Sequence, residues 1–147
     1  MGRAIVRPRW FDRQRRQAGQ SMVEFALILP VFLLLVFGVL DFGRAVYADS
    51  TISNAAREGA RFGMIAPSPT SAVQAKVQQY ASTLAIPAAN VSVSCVTADG
   101  TNDCANAEPG DQITVAVTYA YVPVVVNIGT FVEPSLTLAS HATMVVQ

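Results

Sequence analysis

Apolar residues are concentrated in one block near the start of this chain. From Met22 to Leu40 every position except Glu24 is apolar in character. At ~1.5 Å per residue the block makes a helix about 28 Å long, close to the thickness of a bilayer's hydrocarbon core. Lipid offers the backbone no hydrogen-bond partners, so a segment of this kind is expected to be helical. Pro30 removes one helical hydrogen bond and predicts a kink near residue 27. The helix should extend beyond the apolar block, because Asp41–Phe62 contains no proline. Phe42, Ala45, Val46, Ile52, Ala55, Ala56, Gly59 and Ala60 recur there at steps of three and four, which is one helical stripe. Several of these residues are Ala or Gly and allow a neighbouring element to approach closely. Pro67 and Pro69 break the helix. Over Ser71–Leu84, Val73, Val77, Tyr80, Ala81 and Leu84 fall on one side, predicting a short amphipathic helix that Pro87 ends.

The pattern then changes from helical to alternating. Val91–Val96 alternates valines and Cys95 with serines. Gln112–Val122 sets Ile113, Val115, Val117, Tyr119 and Tyr121 against Thr114, Ala116, Thr118 and Ala120. Leu136–Val146 alternates less cleanly, with Leu136, Leu138, Ala142, Met144 and Val146 on one face. Alternation with a period of two predicts an antiparallel sheet with one buried face, covered by the helices. The fold class is therefore α+β: a transmembrane helix extended into a long helix, a short second helix and a small three-stranded antiparallel sheet. The connection 123–135 is long for a hairpin and carries the apolar run 122–132. Packing into the protein's own core is the default expectation for that run; contact with a neighbour or the membrane surface is the alternative.

Charge orients this arrangement. The chain has 147 residues and no net charge, but Arg3, Arg7, Arg9, Arg13, Arg15 and Arg16 all precede the apolar block. Beyond Leu40 four basic residues face eight acidic ones. The positive-inside bias places a basic leader, residues 1–19, in the cytoplasm and the main domain outside. The expected organisation is thus leader 1–19, transmembrane helix 20–40 and extracytoplasmic domain 41–147. The expected location is the bacterial inner membrane. The leader lacks an apolar period and is expected to have no regular structure. Its arginines, beside Trp10 and Phe11, are also compatible with nucleic acid, but the cluster is short and abuts a membrane segment. Topology and attraction to anionic lipid explain it better, so no nucleic-acid partner is expected.

Little here suggests catalysis. Cys95 and Cys104 bracket the turn signal Asp99-Gly100, and outside the cytoplasmic membrane such a pair is most simply a disulfide. A redox site is the weaker reading, as there is no Cys-x-x-Cys. The single histidine, His141, lies in the last predicted strand, so neither a zinc site nor a nucleophilic dyad assembles around it. Asp99, Asp103, Glu108 and Asp111 share one polar loop. Their spacing matches no EF-hand, which favours a solvated turn over a Ca²⁺ site. No enzyme activity, metal or cofactor is expected.

The informative stretch is Gly19-Gln20-Ser21-Met22-Val23-Glu24-Phe25. It joins a basic leader to a membrane helix, and a carboxylate inside that helix is costly, ~2.5–3.5 kcal/mol for Asp at the helix centre and less near the interface. Glu24 is either close enough to the boundary to snorkel or held for a purpose. The stretch resembles the class III signal of type IV pilins and pseudopilins, in which a glycine precedes a helix with glutamate at its fifth residue. Together with Ala26, Leu29-Pro30, Asp41-Phe42-Gly43-Arg44 and Asn54-Ala55-Ala56-Arg57-Glu58-Gly59-Ala60-Arg61, it more closely resembles the TadE-like family of tight-adherence pilus assembly proteins. The resemblance is strong over residues 19 to 63 and thereafter rests on general character, including Tyr119-Ala-Tyr121 followed by Pro123. It implies a minor pseudopilin cleaved between Gly19 and Gln20 by a prepilin peptidase. It also implies that Glu24 and Phe25 act in helix pairing and assembly. The implied partners are other pilins or pseudopilins, an inner-membrane assembly platform and the lipid bilayer. The competing expectation is an unprocessed, signal-anchored envelope domain that binds a partner protein.

Overall fold

A computed structural model describes residues 10–97, 104–124 and 135–147, with side chains from residue 19 onward. The chain divides into two compact units, Met1–Leu40 and Asp41–Gln147. Helix α1, Trp10–Ile65, runs through the division and through Pro30 without a break. It begins earlier than expected. Residues 10–18, read as lacking regular structure, are helical. Arg, Gln and Ala there are good helix formers, and extending an existing helix avoids the cost of nucleation.

In the first unit the described side chains from Gly19 to Leu40 are exposed, apart from a half-buried Val36. The second unit has a core. From α1 it takes Ile52, Ala55, Ala56 and Ala60, all fully buried. Helix α2, Thr70–Tyr80, adds Val73 and Val77. The sheet adds Val91, Cys95, Ile113, Val115 and Val117. Two stripe expectations fail here: Phe42 and Val46 are exposed, and Asp41 and Ala48 are buried on the inner face instead. The face that meets the sheet is defined by where β2 lies, which periodicity over mixed small and large residues does not reveal.

Strands β1 (Val91–Val96), β2 (Gln112–Tyr121) and β3 (Leu136–Val145) form an antiparallel sheet in the order β1-β2-β3. β2 is central and the most deeply buried, with Ile113, Val115, Val117 and Tyr121 inward. β3 is an edge with no fully buried residue, and Leu136, expected inward, is exposed. α2 ends at Tyr80 rather than Leu84. A 3₁₀ turn at Ser82–Leu84 follows, and Ala85 takes a left-handed conformation at φ 47° that stops it. Gln74 Nε2 donates to the Val91 carbonyl at 2.9 Å and Gln78 Nε2 to the Ile86 carbonyl at 3.0 Å. The polar side of α2 therefore supplies hydrogen bonds to the chain entering β1.

Close packing explains the small residues. A Cβ on Gly59 would overlap Val77 Cγ2 and touch Val115 Cγ1, while one on Gly63 would overlap Ile113 Cδ1. Glycine at these positions lets α1 lie directly on α2 and β2. The contacts also give direction: Gly63 meets Ile113, Gly59 meets Val115, and Asp41 meets Tyr121. β2 thus runs back along α1. From Asp41 to Gly63 the helix rises about 33 Å, and from Ile113 to Tyr121 the strand covers about 26 Å.

Candidate functional site

The segment that resembles a pilin signal lies on α1. Gly19 has open space where a side chain would be. Gln20, Ser21, Glu24 and Phe25 are exposed on the same helix. Gln20 and Glu24 are four apart and so share a face, one turn from each other. Among the described residues no ion pair reaches Glu24. Beyond it Leu27, Val31, Phe32, Leu34, Leu35 and Val39 project outward. The helix Gly19–Ile65 is long and apolar enough to cross a membrane, with a window of mean hydropathy 2.7 that is 0% buried. A helix belonging to a soluble core would have that window covered. This chain therefore carries one N-terminal helix fit to anchor it in a membrane.

A second constellation sits where the second unit begins, at Asp41. Asp41 is buried although it immediately follows the apolar block. Tyr121 Oη donates to the Asp41 carbonyl at 2.9 Å and to Oδ1 at 3.3 Å. The Arg44 guanidinium lies 3.4 Å from the same Oδ1 and 5.7 Å from the centre of the Tyr121 ring. The last residue of β2 is thereby tied to the first turn of α1 within the second unit. Burial raises the Tyr121 hydroxyl above its ordinary value, the Asp41 carboxylate and its hydrogen bond add to that, and Arg44 opposes it. One polar tip is thus satisfied by two groups that face the same spot. Further along, Tyr47 Oη donates to Thr83 Oγ1 at 3.2 Å.

Sequence reasoning quoted Asp41 to Arg44 and Tyr121 as separate motifs and did not join them. The link spans 80 positions, and no periodicity carries such information. The available signal was chemical: a carboxylate directly after the apolar block, with arginine one turn on, needs a donor if the fold buries it.

The cysteines are brought together as expected: Cys95 and Cys104 form a disulfide with Cα atoms 5.2 Å apart. Cys95 is on β1 and faces the core. Of the acidic loop, Asp99 and Asp103 lie outside the described residues. Glu108 and Asp111 build a turn, in which the Glu108 amide donates to Asp111 Oδ2 at 2.8 Å. Gly110 supplies the φ of 105° that the turn needs. Among the described residues no group of three or more His, Cys, Asp or Glu is placed to hold a metal. His141 is exposed on β3, opposite Ala116. Of the apolar run 122–132, residues 125–132 also lie outside the described residues.

The family model for TadE-like proteins matches residues 19–61. The match begins at the glycine of the signal-like stretch, follows α1 through Asp41 and Arg44, and ends after the buried small-residue stripe. It coincides with the motifs that carried the resemblance. Residues 62–147, including α2 and the sheet, lie outside it. No curated protein and no solved structure matches the chain.

Proposed function

We propose that this chain is a minor pseudopilin, a non-catalytic assembly subunit of a tight-adherence pilus or a related secretion system. The observation that carries this reading is the TadE-like match over residues 19–61, whose motifs fall on one helix with an uncovered apolar half. In this reading residues 1–19 are a cytoplasmic leader, residues 20–40 cross the inner membrane, and residues 41–147 form the outer domain. A prepilin peptidase cuts between Gly19 and Gln20. The exposed apolar half of α1 then packs against helices of other pilins or pseudopilins, guided by Glu24 and Phe25, on an inner-membrane platform. The arginine-rich leader supports this orientation. So does the disulfide, since such bonds persist in oxidising compartments.

One observation favours a second reading. Helix α1 continues through Gly19 from Trp10, and peptidases act more readily on exposed loops than on helical backbone. An anchor that is never cut would fit that continuity, leaving a signal-anchored envelope domain that binds a partner protein. Glycine answers the objection in part, because it weakens a helix interior by about 1 kcal/mol relative to alanine. N-terminal sequencing of the membrane-bound protein separates the readings. A mature chain starting at Gln20, lost in Gly19→Leu, supports the pseudopilin. An intact leader in cells with an active prepilin peptidase supports the unprocessed anchor.

A further inference from the structure

The second unit exposes apolar side chains at the end of its sheet nearest Asp41, where among the described residues no packing role accounts for them. Tyr121 and Leu136 are partners in the register of β2 and β3, so the chain leaves and re-enters the sheet at one end. Just past it Val122 is 45% and Val124 47% exposed, and Leu136 is 54% exposed. That end is held at the start of the outer helix by the Tyr121 hydroxyl, 2.9 Å from the Asp41 carbonyl. Asp41 directly follows Leu40, the last residue of the apolar block. Connectivity alone therefore puts this end of the sheet within a few residues' reach of the point where α1 leaves its apolar environment. Phe42, 71% exposed, stands at the same level.

We propose that Val122, Val124, Leu136 and Phe42 form a lipid-contacting surface that rests the outer domain on the bilayer. The inference depends on the reading that residues 20–40 span a membrane. Exposed apolar residues are common, and Val96 and Val145 are as open at the opposite end of the sheet. Position separates the two groups. Val145 pairs with Gln112 at the other end of β2, and the nearby Gln147 amide bonds to the Met64 carbonyl, over 20 residues along α1 from Asp41. That end is about 30 Å from Tyr121 along the strand, at ~3.3 Å per residue. Only the Tyr121 end is placed where an apolar phase already exists. Its polar groups suit a headgroup layer. Arg44 pairs with Asp41 at 3.4 Å through one nitrogen, and its side chain is more than half exposed, so its other N–H groups can reach lipid phosphates. A lipid surface needs no recruitment, whereas a protein partner would have to be brought to this level.

Single-tryptophan quenching of the full chain tests this. In a Trp10→Phe background, tryptophan is placed by Val124→Trp, Val145→Trp or Phe37→Trp, and each variant is reconstituted into nanodiscs of phosphatidylcholine and phosphatidylglycerol. Some of the lipid carries a doxyl group at the headgroup end of the acyl chain. The expected result is strong loss of emission for Val124→Trp and Phe37→Trp and little for Val145→Trp. Quenching of Phe37→Trp with none for Val124→Trp overturns the lipid contact and leaves the anchor standing. Equal quenching at 124 and 145 overturns it too, because lipid contact is then not confined to one end. Absence of quenching for Phe37→Trp overturns the membrane-spanning reading, and this inference with it.

Discussion

The two halves of helix α1 differ in what they leave uncovered. From Gly19 to Leu40 the large side chains are uncovered, among them Leu27 at 72% and Leu35 at 65% exposure. From Asp41 to Ile65 the smallest are covered, with Ala55, Ala56 and Ala60 at 0%. In the second half β2 and α2 supply the bulk, through Ile113, Val115 and Val77. Alanine and glycine on α1 bring those side chains close, so small residues there are packing surface rather than a lack of it. In the first half nothing within the described structure covers the leucines and phenylalanines. An apolar surface of that extent is not sustained in water and calls for lipid or neighbouring helices. Residue size on this helix therefore reports what lies beside it: bulk outward where lipid is the expected neighbour, and little bulk where the protein provides its own.

Glu24 tests the first half of that contrast most severely. If the exposed half of α1 packs against partner helices, a carboxylate there needs a cation, and cleavage after Gly19 would create one on Gln20. That amine would stand one helical turn from Glu24 on the same face, and it or its counterpart on an adjacent subunit would offset the desolvation of Glu24. Glu24→Ala and Glu24→Gln are both expected to insert and be processed normally, and both to abolish incorporation and pilus-dependent adhesion. Shear fractionation and an adhesion assay measure this. Wild-type assembly by both variants reduces Glu24 to a snorkelling residue.

The second half is tested by moving bulk into it. Gly59→Leu drives a side chain into Val77 and Val115, both fully buried, at a cost of about 2–3 kcal/mol after the gain in helix propensity. Gly38→Leu meets open space in the isolated chain and, with the same gain in helix propensity, should not lower stability. The urea midpoints of the two full-length variants in detergent are the measurement. A larger shift for Gly38→Leu than for Gly59→Leu would invert the comparison.

How much of this was legible in the sequence follows from the range of each interaction. The membrane-length block, the extended helix, α2 and all three strands follow from local periodicity, and so does the inward face of β2. The disulfide was legible because two cysteines bracket the turn signal Asp99-Gly100 in a chain whose arginine bias predicts an extracytoplasmic domain. What failed was non-local. Phe42 and Val46 fit the helical stripe, yet β2 lies on the Asp41 and Ala48 side. Leu136 alternates correctly, yet none of the described residues covers that end of the edge strand. The Asp41–Arg44–Tyr121 node unites residues that only the third dimension brings together. Residues 10–18 failed for another reason, since a segment without an apolar face still becomes helical when it extends a helix already formed.

The disulfide offers a smaller and cleaner perturbation. Closing the short loop between Cys95 and Cys104 stabilises the fold by about 2.5 kcal/mol on the chain-entropy estimate. Cys95→Ser should lower stability by up to that amount and leave membrane insertion untouched. Thiol labelling provides the parallel check: the native protein should resist modification until reduced, and full labelling without reductant would remove the bond from the account.

The smallest effect sits at the junction of the two regions and has a pH signature. Tyr121→Phe keeps the ring beneath Arg44 and removes the hydrogen bonds to Asp41, a loss of about 1 kcal/mol at neutral pH. The tyrosine's ordinary value is 10.0, and burial with the Asp41 carboxylate raises it in the folded chain, against a lowering contribution from Arg44. Below the ordinary value both states are protonated, so the advantage of wild type over Tyr121→Phe is fully present and flat. Above it the unfolded chain releases the proton while the folded chain retains it. The unfolded state then binds fewer protons, and stability falls as pH rises. The gap between wild type and variant should therefore stay constant up to the ordinary tyrosine range and close through alkaline pH. Urea midpoints of the two proteins, paired at each pH, give that difference directly. A gap that does not change across the alkaline range would mean that Tyr121 is not held protonated against Asp41, and the tie between the sheet and the start of the outer helix would rest on packing alone.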